Sequence, residues 1–273
     1  MPSYNTCLRL AAIVLLLAWY AEVPAQAEIT GTGTAGALEA TGLAAASTCT
    51  MPCDVGNTTV PSGSNRLGLF SVGIHTSGSA WVSETLTVGG ESATEIHSAS
   101  SGTVGFATFC ILDADLPVPG SQAVIVGGSV GGLGTNGYSV IITWLFGADQ
   151  TCPPALENAL GNISSAESVA TTLTPTVDGS LFYHYAGVGA DRLSTMAATS
   201  PQVLLLKQQG PGGGRTYGVS ADIVETAAET TATTTWTTGT NGFRGGLIVS
   251  PAPPSGVVSD GSYDSQPPCV TNR

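Results

Sequence analysis

Six cysteines stand in the 273-residue chain: Cys7, Cys49, Cys53, Cys110, Cys152 and Cys269. Their spacing decides what chemistry they can do. No CxxC pair occurs, since Cys49 and Cys53 are four apart, so a dithiol redox motif is excluded. Cys7 sits in an apolar leader that is expected to be removed. Five thiols then remain, and in an oxidising compartment they pair. Cys110 ends a strong strand pattern and Cys152 follows the next-but-one strand. A Cys110–Cys152 bridge with a local Cys49–Cys53 pair is therefore expected, although four cysteines allow three pairings and spacing alone does not choose. Cys269 is the odd thiol and a candidate for a bond between chains.

The other reactive residue types form no comparable pattern. His75, His97 and His184 fall in three different strands, without the spacing of metal ligands. No Gly-x-Ser-x-Gly elbow appears in a strand-turn-helix context. Glu84, Glu91 and Glu95 surround one hairpin, but a mature chain with 18 carboxylates brings acids together by chance. A two-carboxylate glycosidase centre is the weakest of the functions considered. Asp113-Ala114-Asp115 offers oxygen ligands suited to calcium, with a solvated loop as the plainer reading. Calcium is the only cofactor the sequence leaves open. Among the aromatics, Trp81 precedes a strand in a Ser-rich turn and is the candidate for stacking on a sugar. Tyr138, Tyr183, Tyr185 and Tyr217 are further available rings, and Trp144 reads as core. Asn57 and Asn162 each begin a glycosylation sequon, both placed in loops.

The elements that must position these residues begin with a leader. Leu10–Tyr20 is an apolar run too short for a mature membrane helix, and Ala25-Gln26-Ala27 offers a small-x-small cleavage site. Cleavage before Glu28 is expected. It removes one charge of each sign, Arg9 and Glu22, so the net charge stays at −12. With only seven Lys and Arg in the full chain, nucleic acid and anionic membrane surfaces are poor partners. No other run is long enough to span a bilayer.

The rest reads as strands. Tyr138–Gln150 is the most apolar stretch, rich in β-branched and aromatic residues and closed by Gly147, which predicts a central strand buried on both faces. Leu67–His75, Val82–Val88, Glu91–His97, Val104–Leu112 and Gln122–Gly127 precede it. Val169–Val177, Leu181–Val188, Pro201–Lys207, Tyr217–Val224, Thr230–Thr237 and Gly246–Val249 follow. Gly89-Gly90 and Asp178-Gly179 are hairpin-type turns. Ala155–Leu160 is the one stretch that reads as a short helix. About ten strands at roughly 8–12-residue spacing define an all-β antiparallel sandwich.

Several short features carry a family resemblance: Asn65-Arg66-Leu67 opening a strand, the hairpin Thr87–Thr94, the strand Val104–Leu112, and Gly147-Ala148-Asp149-Gln150 after the central strand. Asp178-Gly179-Ser180-Leu181, the Thr-rich strand ending at Trp236 and the closing Gly245–Val249 complete the set. Over Val60–Pro253 the chain resembles jelly-roll-type β-sandwich domains of secreted and cell-surface bacterial proteins. The resemblance implies a fold and a location and carries no catalytic residues. The expected organisation is a signal peptide over 1–27, a flexible or strand-donating leader over 28–59, a sandwich over 60–253 and a Pro/Ser/Gly-rich disordered tail over 254–273. The expected function is a secreted, non-enzymatic structural or adhesive protein that self-associates or binds other cell-surface components, including as a filament subunit. A carbohydrate-binding module is the alternative, and a secreted hydrolase the third reading.

Overall fold

The apolar run that dominates the sequence lies in a strand, Thr135–Leu145, whose side chains from Tyr138 to Leu145 are buried on both faces. A computed structural model shows why. It describes residues 27–45, 49, 51–76, 81–101, 104–130, 135–154, 156–210 and 215–253, of which Glu28–Ala252 form one compact unit. The expected signal segment, apart from its last residue, and the tail with Cys269 lie outside the described residues.

Fifteen strands are described: β1 (Ala40–Ala45), β2 (Cys53–Val60), β3 (Leu67–Thr76), β4 (Trp81–Val88), β5 (Glu91–Ser92), β6 (Thr94–Ser101), β7 (Val104–Leu112), β8 (Gly120–Val130), β9 (Thr135–Leu145), β10 (Leu156–Leu173), β11 (Ser180–Val188), β12 (Ala197–Ala198), β13 (Val203–Gln209), β14 (Thr216–Val224) and β15 (Thr230–Val249). All pair antiparallel, in three sheets. The first runs β1-β9-β3-β7-β6, the second β2-β8-β4-β5, and the third β10-β15-β11-β14-β13 with β12 against β15.

The first sheet is the middle layer. On one face Phe70 and Trp144 meet edge-on, 5.5 Å apart, and look toward β2 and β8. On the other face Ser71, Gly73 and Phe106 meet the third sheet. Ser71 shares a hydrogen bond of 3.1 Å with the Tyr183 hydroxyl, and the Tyr217 hydroxyl donates to the Ile74 carbonyl. Phe106 stacks on Tyr185 with ring centres 4.3 Å apart. Burial pushes the Tyr183 hydroxyl pKa up to about 12, with Ser71 and Thr143 pulling the other way. The antiparallel sandwich is as expected from the sequence; the strand count and the third layer exceed it.

The first and third sheets share one wiring. In each, the first strand lies beside the last, then come the early strand, a later hairpin strand and an edge. Leu67 faces Leu112 and Leu145; Leu181 faces Ile223 and Val249. Six residues on, Gly73 faces Phe106 and Ser139, as Gly187 faces Tyr217 and Phe243. The two halves of the unit therefore repeat the same sheet, packed face to face.

Gly73 is needed at that interface, because a Cβ there would lie 2.3 Å from the Tyr217 ring. Gly73→Val is expected to destabilise the protein by roughly 1–3 kcal/mol through overpacking, read as a fall in denaturant midpoint.

The third sheet also folds over itself. Leu156–Leu160 pair with Ile248–Arg244, and Ser168–Leu173 pair with Thr235–Thr230, with register shifts between. The far half of this ribbon lies back over the sheet's outer face. Val169, Trp236 and Met196 pack on Ala186 and Val188, while Leu173 and Ala232 pack on Phe182 and Ile248.

Three expectations change. The expected helix over Ala155–Leu160 is a strand from Leu156 on: Leu156–Leu160 begin β10, because ladder pairing with β15 overrides the local helix propensity of Ala, Leu and Glu, and Ala155 lies outside the described residues. The leader belongs to the sandwich: β1 pairs with β9 of its own chain and β2 with β8. Tyr138, Tyr183, Tyr185 and Tyr217 are buried in the core, so none serves as a surface ring. The Gly89-Gly90 turn is as read, with φ of 59° and 93° at its two positions.

Two segments meet at the end of β9. Thr30 and Phe146 exchange both backbone hydrogen bonds, while Asp149 N–H donates to the Ser250 carbonyl and Ala252 N–H to that of Gly147. The segment that precedes β1 and the one that follows β15 are thus both fastened to residues 146–149.

Candidate functional site

β9 outruns the second sheet. Trp144 and Phe146 sit two apart, on the core-facing side, just where the covering strand β2 turns away after Val60. An open-sided cleft of about 790 Å³ results, within the ~300–1,000 Å³ of small-ligand sites. Trp144 and Val60 form its floor and Phe146, partly exposed, one wall. Residues 57–59 of β2 line the other side, with Thr58 buried and turned inward like Val60 and Asn57 and Thr59 exposed on the outer face of the strand. The rim comes from the leader, at Thr32 and Thr41, and from the loops at Ser62 and Pro119. No lining residue is acidic or basic. The cleft therefore offers aromatic faces, hydroxyls and one amide, and none of its side chains titrates near neutral pH.

Trp144 is 5 % exposed, and its Nε1–H is buried with no hydrogen-bond partner. An unmet buried donor costs about 1–3 kcal/mol.

Beside the cleft, the strand ends are locked together. Arg66 Nε donates to the Asp113 carboxylate and its Nη1 to the Pro61 carbonyl at 2.8 Å. Gln150 accepts from the Asp113 N–H at 2.9 Å and donates to the carbonyls of Arg66 and Ala148. This cluster fixes the starts and ends of β3, β7 and β9, and with them Trp144.

The sequence candidates fall as follows. Cys49–Cys53 and Cys110–Cys152 are both disulfide-bonded, with Cα–Cα separations of 5.5 and 6.1 Å. Asp113 already holds a cation, Arg66, and Asp115 is exposed; no cluster of three metal-ligating side chains occurs among the described residues. Trp81 opens β4, with its side chain outside the described residues. Asn57 is exposed but lies on β2, not in a loop, and Asn162 lies on β10, likewise in a strand, with its side chain outside the described residues. Both sequons were expected in loops; ladder pairing places them in sheets. His97 is half-buried on β6, with its pKa lowered by burial against the pull of Glu95, while His184 is fully buried on β11.

Trp144, Phe146, Thr32, Thr41 and Thr59 are the site residues the sequence reading missed. The signal was the i, i+2 pair of rings at the end of the central strand, which a run of core residues disguised.

No family model matches the chain, and no curated protein or solved structure matches it.

Proposed function

We propose that the chain is a secreted, non-enzymatic adhesive protein of β-sandwich build, which holds another molecule in the cleft between β2 and β9. The observation that carries this reading is the cleft's lining: aromatic and hydroxyl-bearing, with no acid or base to transfer a proton. The two disulfides suit an oxidising, extracellular setting. Among the described residues no helix is long and apolar enough to cross a membrane. The test is retention of beads carrying the protein on the surface material of the cells that make it, against beads carrying Phe146→Ala. Equal retention of the two would sink the reading.

Self-association is a second reading, favoured by the leader. β1 fills the edge of the middle sheet through backbone pairing with β9, and its residues Thr41, Gly42 and Ala44 are exposed. The same strand from a neighbouring chain fits the same slot. Removing residues 28–48 is expected to bare the edge of β9 and shift the protein from a discrete species to aggregates by light scattering. A truncated protein that stays monomeric at high concentration would show that the edge does not seek a partner.

A further inference from the structure

We infer that the far half of the β10–β15 ribbon is an acid-released strap: protonation of His184 lifts it from the outer face of the third sheet while the sandwich beneath stays folded. The strap is held by two small patches. Val169 and Trp236 toward one end, and Leu173 and Ala232 toward the other, pack in two separate apolar clusters, and none of them joins the large core between the sheets. A polar belt divides the two clusters. The Thr234 hydroxyl meets His184 Nδ1 at 3.3 Å, Thr171 lies over Gly246, and Gly246 and Ser220 flank His184 in the sheet. The four side chains of the belt are buried, and His184 Nε2, Thr171 Oγ1 and Ser220 Oγ have no hydrogen-bond partner among the described residues. Unmet polar groups oppose the closure that buries them. The strap is also jointed. Three register shifts interrupt its ladder between Leu160 and Ser168, whereas the pairing of residues 242–249 with β11 lies on the near side of them. The strap can therefore part from the sheet without undoing that pairing.

Charge drives the release. On the same face as His184 stand Arg244 of β15, Lys207 of β13 and Asp222 of β14, by register. The strap's inward side chains carry no charge. Arg244 repels an imidazolium at His184, and Lys207 is tied to the Met196 carbonyl. Asp222 works in the opposite sense, since burial raises its pKa and acid then favours the folded form. An imidazolium under the strap thus has a cation beside it and no acceptor for its second N–H among the described residues. Lifting the strap gives that N–H water. The neutral ring suits the closed strap fully well above pH 6.5; below it the open strap takes up a proton that the closed one refuses, and its population rises about tenfold per pH unit.

Hydrogen exchange of the full chain with its disulfides intact, at pH 7.5 and 5.0 and corrected for intrinsic rates, tests this. Amides of residues 168–173 and 230–235 are expected to open about thirtyfold more often at pH 5.0. Amides of β3 and β9 are expected to stay slower than these at both pH values. His184→Gln, and His184→Phe, which keeps a ring, are expected to lose most of that rise, while His97→Gln keeps it. Strap amides that exchange in step with those of β3 and β9 would show a single cooperative unit and overturn the strap. No rise in the wild type, an equal rise in a folded His184 variant, or a rise lost in His97→Gln overturns the role of His184.

Discussion

Lowering the pH from 6.5 to 4.5 is expected to remove roughly 2 kcal/mol of folding stability through His184 alone, the slope growing toward about 1.4 kcal/mol per unit below pH 6. The imidazole lies between the third sheet and the ribbon folded over it, fully buried. Its Nδ1 sits 3.3 Å from the Thr234 hydroxyl, and its Nε2 has no partner among the described residues. Burial first, and the Arg244 guanidinium second, push its pKa from 6.5 down to about 3. Well above pH 6.5 the ring is neutral in folded and unfolded chains alike, and its contribution is complete. Between 6.5 and 3 the unfolded chain takes up a proton that the folded chain refuses, so stability falls as the pH drops. His184→Gln is expected to flatten this slope most clearly between pH 6.5 and 5, above the ordinary carboxylate range. His97, also lowered by burial, keeps a smaller slope of the same sign. Urea unfolding at stepped pH measures both, and an unchanged slope in His184→Gln would refute the assignment.

Removing the Cys110–Cys152 bridge is expected to cost about 4 kcal/mol, from the chain entropy of a loop closed across 42 residues. Cys110 is fully buried on β7, and Cys152 stands in the link between the two halves of the unit. The bridge thus holds the start of the second half against the middle sheet. Cys110→Ala/Cys152→Ala keeps both sites small and leaves no stray thiol. Its denaturant midpoint should fall well below that of the Cys49→Ala/Cys53→Ala variant, whose loop spans four residues. Equal losses for the two would contradict the loop-length account.

Individual strands were legible where a β-branched run met turn residues at both ends. β7 and β14 were read correctly or to within one residue, since their patterns are local. The layer count was not legible. Ser71, Thr108, Ser139 and Thr143 look like solvent-facing positions, yet all four are buried in the middle sheet. Only the pairing of two like sheets explains them. The repeat was hidden for a similar reason. Equivalent positions keep register and packing, as Gly73 and Gly187 do, while Phe70 corresponds to His184. The leader showed no period because its edge strand β1, of Ala, Thr and Gly, buries little; Leu43 is the one large apolar side chain of β1, and Ile29 and Leu38 outside it add the rest. Trp144 was read as core, and its ring is core. The cleft exists because β9 extends past the sheet that covers it, a relation between distant strands that no local pattern encodes.

Were the unit pulled by its two ends, the fastening at residues 146–149 would lie directly in the path of the force. A surface anchor at one end and a bound target at the other would pull the unit apart between its leader and its closing strand. Both are gripped by the same few residues, through the Thr30–Phe146 pair and the bonds linking Gly147 and Asp149 to Ala252 and Ser250. Tension entering at Thr30 therefore leaves at Ser250 across one short clasp, and the two cores on either side are bypassed. Those four hydrogen bonds would then be the first to give way. Only then does β1 begin to peel from β9, and since β1 carries part of the cleft's rim, the grip on whatever lies there would loosen before either sandwich unravels.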